Sequence, residues 1–172
     1  MTANTLFDRL CESLGGPLDP DRSSLEAVLV ALEDWPLDRP AVIVNLFRFH
    51  NRAKYDEPIE QNGETAFKRY LTASGPVFRR AGVFVLLAGP VASNFIVDDG
   101  ERWDFVTIAG YPDPMRFLTA LADPDYQAAL IHREAGVAAT KVLITQPLLL
   151  GGPPDELAGD ARLIQAYLEG VD

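Results

Sequence analysis

An α+β fold follows from three features of the 172-residue sequence. Short β-branched and aromatic runs mark strands, apolar residues at helical spacing mark helices, and the two alternate in a diagnostic order. Between Pro40 and Pro147 that order is strand, helix, strand, strand, helix, strand, the split βαβ or ferredoxin-like βαββαβ unit. Helical segments flank it. The chain therefore divides into an N-terminal helical extension (residues 1–39), a ferredoxin-like domain (40–150) and a C-terminal helix (151–172).

Leu6, Phe7, Leu10 and Leu14 follow helical spacing before "GGPLDP" ends the run. "SSLEAVLVALEDWP" opens with a capping box, Ser23 to Glu26, and stops at Pro36. "AVIVNLFRFH" is a strand by its β-branched and aromatic content. "NGETAFKRYLTASGPVFRRAG" presents Phe67, Tyr70, Leu71, Ser74 and Phe78 on one helical face, with Gly75-Pro76 expected to kink or interrupt it. "VFVLLAGPVASNFIV" and "WDFVTIAGY" read as strands joined by a hairpin at "DDGER", with a bulge or bend at Gly89-Pro90. Asp113-Pro114 and Asp123-Pro124 each set a capping acid before a proline suited to the first helical position. "KVLITQP" closes the domain as a strand. "DELAGDARLIQAYLEGV" is a last helix carrying Leu157, Leu163, Ile164, Tyr167 and Leu168.

A ferredoxin-like sheet carries helices on one face, so its other face should alternate with polar residues if it meets water. "AVIVNLF" and "VFVLLAG" are apolar on both sides. The uncovered face is therefore expected to be buried against a second copy, as a homodimer joined through its sheet faces.

Composition excludes several classes of partner. A formal charge of −10 and a pI near 4.6 oppose nucleic acid and anionic membrane surfaces. The single cysteine, Cys11, makes no intrachain disulfide, and with only two histidines no zinc site is expected. The N-terminus lacks the pattern of a secretory signal, and the longest apolar stretch is broken by Gly89, Pro90, Ser93 and Asn94, so a cytoplasmic protein is expected. No GxGxxG, GxxxxGK[ST] or GxSxG motif is present, and no cofactor is expected.

Four blocks, "VIVNLFRFHNRAKY", "GPVFRRAGVFVLLAGPV", "GERWDFVTIAGYP" and "FLTALADPDYQAALIHREAG", resemble the DUF1330 family of the dimeric α+β barrel superfamily. The resemblance covers about residues 40–147 and lies in the order of the blocks. It implies a ferredoxin-like fold whose sheets pair face to face in a dimer, with a small cavity between sheet and helices. It does not imply a reaction: related families include cofactor-independent monooxygenases, isomerases, dehydratases and haem-handling enzymes.

His132 sits among Ala128, Ala129, Ala135 and Gly136 on one helix. The small residues could leave a cavity beside an imidazole acting as general acid/base. Equally, they could permit close packing while His132 bonds a neighbouring element. Arg133, about a quarter-turn away, is expected in a surface or dimer ion pair. Asn45 and Arg48 interrupt an apolar strand and need partners, either on a ligand or, for Arg48, from Asp104 or Glu101. Alternation puts Asn45 and Arg48 on opposite faces of the sheet. His50 ends that strand and is expected at an exposed edge. His50, His132 and Asp104 would make a two-histidine, one-carboxylate metal set, but no local spacing supports it, and no metal is expected. Trp103, Asp104, Tyr70 and Tyr126 are candidate pocket walls, with core packing the alternative for the aromatics.

The resulting expectation is a small-molecule-binding protein, most simply a cofactor-independent enzyme. His132 would serve as general acid/base, Arg48 would hold an oxyanion or carboxylate, and Asn45 would orient a carbonyl. Isomerase, hydrolase, cyclase or dehydratase chemistry on an organic acid or polyketide-like ligand fits those groups. A non-catalytic carrier or dimeric scaffold is the alternative, and cofactor-independent oxygenation is a further one by fold analogy.

Overall fold

The structure is a computed structural model that describes residues 38–57, 59–145, 147 and 161–170. The two helices expected before Pro40, the "GGPP" joint and the first part of the last expected helix lie outside these residues. The elements in order are β1 (Ala41–Phe49), α1 (Gly63–Arg80), β2 (Phe84–Pro90), β3 (Phe105–Tyr111), α2 (Pro114–Ala122), α3 (Pro124–Gly136), β4 (Val137–Thr145) and α4 (Ala161–Glu169). The strands form one sheet in the order β2-β3-β1-β4 with every neighbour antiparallel. Chain order and sheet order together make the ferredoxin-like βαββαβ arrangement, with the second helical crossover split into α2 and α3.

The helices start where short polar side chains supply missing acceptors. Asn62 Oδ1 accepts from the Thr65 amide at 2.8 Å, Asp113 Oδ1 from Arg116 at 2.8 Å, and Asp123 Oδ1 from Asp125 at 2.9 Å. Pro114 and Pro124 follow their caps as expected, because a proline at that position loses no intrahelical bond.

Pro76 does not interrupt α1, interruption being one of the two outcomes expected of Gly75-Pro76. Its ring removes the donor that would bond the Thr72 carbonyl, but Thr72 and Pro76 are both exposed, so the freed carbonyl is open to solvent. The preceding Gly75 has no Cβ to collide with the proline ring.

The β2–β3 region also departs from expectation. Strand β2 ends at Pro90, well short of Val97, and the bulge sits between Val85 and Leu87 rather than at Gly89-Pro90. The cause is Asn94. Its side-chain amide donates to the Trp103 carbonyl at 3.0 Å and accepts from the Trp103 amide at 2.8 Å, taking both groups that a longer strand would pair. The connection from Val91 to Asp104 is therefore a long loop, turning at Asp98–Glu101 with Gly100 at φ 78°. Strand β4 is longer than expected and begins at Val137, directly after α3.

Ile43 and Phe47 of β1, Phe105 and Tyr111 of β3, and Ile144 of β4 point into a core shared with Phe67, Tyr70 and Val77 of α1 and Leu118 of α2. The strand residues between them face the other way, by alternation. That opposite face carries Val44, Leu46, Ile108, Phe84, Leu87 and Leu143, with Leu87 45% and Leu143 55% exposed. It is an apolar sheet face with no helix over it among the described residues.

Candidate functional site

The small residues of α3 serve close packing. A Cβ on Gly63 would come within 2.3 Å of the Gly136 carbonyl oxygen and 2.5 Å of that of His50. Ala66 of α1, Ala135 of α3 and Ala53 of the intervening loop form a small buried cluster beside this crossing. The His50 amide donates to the Gly136 carbonyl, and the Gly63 amide to the His50 carbonyl, both at 2.9 Å. One junction thus ties the end of β1 to the start of α1 and the end of α3.

Next to that junction lies an open cleft of about 320 Å³. Phe49, His50 and Asn51 reach it from the end of β1, and Asn62 and Glu64 from the start of α1. Pro90, Arg102, Asp104 and Phe105 line it from the β2–β3 side, and Tyr167 closes it from α4. Six of the ten lining residues are polar or charged and three are aromatic, in a volume within the range of small-ligand sites.

The charges in the cleft are largely internally paired. Asp104 Oδ2 accepts from the Phe49 amide at 2.7 Å, and Oδ1 lies 3.4 Å from Arg102 Nε. Glu64 lies 3.5 Å from Lys68 Nζ. Partial burial, with Lys54 and Arg48 nearby, lowers the His50 pKa below the ordinary 6.5. The shift favours the neutral imidazole, the form able to accept a proton.

The Tyr167 ring stacks on Phe105 with centroids 5.2 Å apart and planes 27° apart, and Lys68 Nζ sits 4.3 Å from its centroid. Its hydroxyl is buried against the Glu64 carboxylate, an acceptor for its proton. Burial first, and Glu64 second, raise its pKa.

Among the residues singled out from sequence, Asp104 lines this cleft and His132, Arg48, Asn45, Trp103, Tyr70 and Tyr126 do not. His132 is half-buried on the outer side of α3, where its Nδ1 lies 2.7 Å from the Tyr55 hydroxyl. The two rings meet edge to face at 5.7 Å. Burial, then Arg69, lowers the His132 pKa. Asn45 faces the helices and its amide donates to Thr107 Oγ1 at 3.1 Å. Arg48 faces the open side, the bulge falling just after it, and neither expected carboxylate serves it: Asp104 pairs with Arg102, and Glu101 with Lys141.

Trp103 is buried with Lys141 Nζ 5.4 Å from its ring centroid. Tyr70 and Tyr126 pack edge to face in the core at 6.2 Å, where burial, then Tyr126, raises the Tyr70 pKa well above the ordinary range. Arg133, expected in a surface or dimer ion pair, lies 5.8 Å from the Phe47 ring centroid and makes no ion pair among the described residues. Among the described residues no cluster of histidine, cysteine and carboxylate could hold a metal ion. None of their helices is long and apolar enough to cross a membrane.

Sequence reasoning missed Glu64, Arg102, Asn62 and Tyr167, and set His50 at an exposed edge. The available signal was positional: His50 and Asn62 flank one β-to-α connection, where a strand end and a helix start come together.

The RPA0582 protein of Rhodopseudomonas palustris, described as a protein of unknown function, is 32% identical. Its crystal structure aligns over 77% of this chain and 97% of its own length, with a TM-score of 0.65. The methylated form of RPA0582 aligns over 79% and 98% with the same identity and a TM-score of 0.67. SnoaB, a cofactor-independent oxygenase from Streptomyces nogalater, aligns over 65% of this chain and 96% of its own at 15% identity and a TM-score of 0.45, too remote to bear on function. No curated protein matches. The family profile of a domain of unknown function, DUF1330, matches residues 59–147. That match spans more than half the chain, and the chain belongs to the DUF1330 family.

Proposed function

We propose that this chain binds a small organic ligand in the cleft between β1, α1 and α4, and that two copies associate through their open sheet faces as a dimeric α+β barrel. The observation that carries the ligand reading is the cleft itself. Aromatic rings from three elements, a neutral imidazole and two carboxylates with their own cationic neighbours line about 320 Å³. His50 is the acid/base group of this site. An unprotonated imidazole at a cleft wall can take a proton from a ligand carbon or hydroxyl and return it elsewhere, which supports isomerisation, cyclisation or dehydration without a cofactor. A carrier would use the same cleft without turnover. The dimer reading is supported by the apolar face bearing Leu87, Leu143 and Phe84.

A second reading keeps catalysis on His132, because Tyr55 orients its imidazole through the 2.7 Å hydrogen bond. Amide-resolved NMR screening of the full chain with small aromatic alcohols and acids separates the two. Binding at the cleft shifts the amides of His50, Glu64 and Phe105. Shifts confined to Tyr55 and His132 would move the site to α3, and no shifts at all would remove the ligand reading. For a ligand that is turned over, His50→Ala should abolish turnover while His132→Ala keeps it.

A further inference from the structure

We propose that the long loop between β2 and β3 is an arm by which each copy of this chain grips the other, burying Phe95 and Ile96 on the partner and pairing Asp98 or Asp99 with the partner's Arg48. This rests on the sheet-face association proposed above and goes beyond it by naming a contact outside the sheet. Phe95 and Ile96 are the most exposed of the large apolar residues described, and both are nearly bare to water. Scattered apolar residues on a surface need no account, but two adjacent ones at a held tip do. The tip is held. Asn94 in one leg of the loop bonds the backbone of Trp103 in the other, and the Val91 amide donates to the Asp104 carbonyl at 2.9 Å. The Glu101 amide closes the turn on the Asp98 carbonyl, also at 2.9 Å. Keeping two large apolar side chains out in water is unfavourable, and burial on a partner reverses that.

The roots of the loop and its charges select the partner. Lys141 of β4 stands opposite Leu46 and two residues from Leu143, so it lies on the open sheet face. Its ammonium pairs with Glu101 and sits 5.4 Å from the Trp103 ring centroid, which brings the second leg of the loop to that side. The Asp104 amide donates to the Phe47 carbonyl at 2.8 Å, so the loop springs from the end of the sheet that carries Arg48. Arg48 on the open face and Asp98 and Asp99 at the tip make no ion pair among the described residues. A twofold axis along the strands sets the Arg48 end of one sheet over the same end of the other. Each acidic tip then approaches the partner's guanidinium, twice by symmetry. An anionic lipid surface would repel those acids. A buried phenylalanine contributes about 150–250 Å², against about 800 Å² per partner in a stable interface, so the tip is a substantial share of the association.

The test is sedimentation equilibrium of the full chain and its variants, with the parent expected as a dimer. Phe95→Ser/Ile96→Ser should raise the dimer's dissociation constant about a hundredfold, roughly tenfold for each apolar side chain left in water. Its far-UV circular dichroism should match the parent's, because the tip is exposed in its own chain. Arg48→Glu and Asp98→Lys/Asp99→Lys should each weaken association about tenfold, and the protein carrying all three changes should recover most of that loss. A Phe95→Ser/Ile96→Ser dimer as tight as the parent's, or charge changes whose effects simply add, overturns the arm. A dimer still sensitive to Leu143→Glu then keeps the sheet-face association standing. If the tip variant dimerises normally but loses a binding to phosphatidylcholine vesicles that the parent shows, the tip faces lipid and the arm is likewise overturned. A monomeric parent overturns the sheet-face association and the arm together.

Discussion

Gly63→Ala should be among the most damaging single substitutions in the described fold, although it adds one methyl group. The new Cβ would lie 2.3 Å from the Gly136 oxygen, 2.5 Å from the His50 oxygen and 2.7 Å from the His50 nitrogen. All three are backbone atoms of a bonded junction, so no side chain can swing aside. Overpacking of this kind costs about 1–3 kcal/mol. Displacing the two backbone hydrogen bonds at His50 adds roughly 0.5–1.5 kcal/mol each, against a gain of about 1 kcal/mol from the better helix former. The net expectation is a loss of about 1–5 kcal/mol, or a drop in melting temperature of roughly 2–20 °C for a chain of this size. Gly110→Ala is the matched control. Its Cβ would also come too close, at 2.1 Å, but only to the ring of Phe84, a side chain and not backbone. Urea denaturation of both variants decides. If Gly63→Ala is as stable as the parent, or no less stable than Gly110→Ala, the argument that backbone contact at this junction is rigid fails.

Three further expectations follow from other parts of the molecule. Both histidines have folded pKa values below 6.5, so the unfolded chain binds more protons just below that pH. Stability contributed this way is complete above 6.5 and falls as pH drops toward the folded values; melting temperatures across pH should show the step, and a His50→Gln/His132→Gln protein should lack it. Asn94→Ala strands the Trp103 amide and carbonyl and should cost about 1–3 kcal/mol by denaturant titration, where a loss under about 0.5 kcal/mol would show the loop held by something else. Leu143→Glu sets a charge on the apolar sheet face and should convert a dimer to a monomer in analytical ultracentrifugation; a parent chain that is already monomeric rejects the sheet-face association.

The fold was legible where its signals are local. Asp-Pro pairs announce α2 and α3 because cap and first-turn chemistry involve neighbours in sequence, and both caps are present. The end of β2 was not legible. Residues 91–97 are as apolar as a strand, and composition cannot show that one asparagine side chain will occupy the backbone groups of Trp103. The consequence is visible at the loop tip, where Phe95 and Ile96 are left 89% and 86% exposed. The expected break at Pro76 is absent for a similar reason: whether proline ends a helix depends on whether water reaches the freed carbonyl, and only the packing decides which side of α1 faces out.

The site was harder to read because its parts come from five separate stretches of sequence. The stripe of small residues around His132 allowed a cavity or a close approach, and the structure spends it on the approach of α1 to α3. That approach is what creates the cleft, one step away from where the small residues are. By admitting the Gly136 and His50 carbonyls against Gly63, it fixes the end of β1 beside the start of α1 and leaves His50 and Glu64 facing the same space. The two histidines are therefore held differently. His50 depends on the glycine junction through its own amide and carbonyl, whereas His132 is oriented by the side chain of Tyr55. A substitution such as Gly63→Ala should disturb the His50 imidazole resonances more than those of His132, while Tyr55→Phe should do the reverse. Ligand binding that follows the first variant and ignores the second would tie function to the β1–α1 junction by a route that does not mutate either histidine.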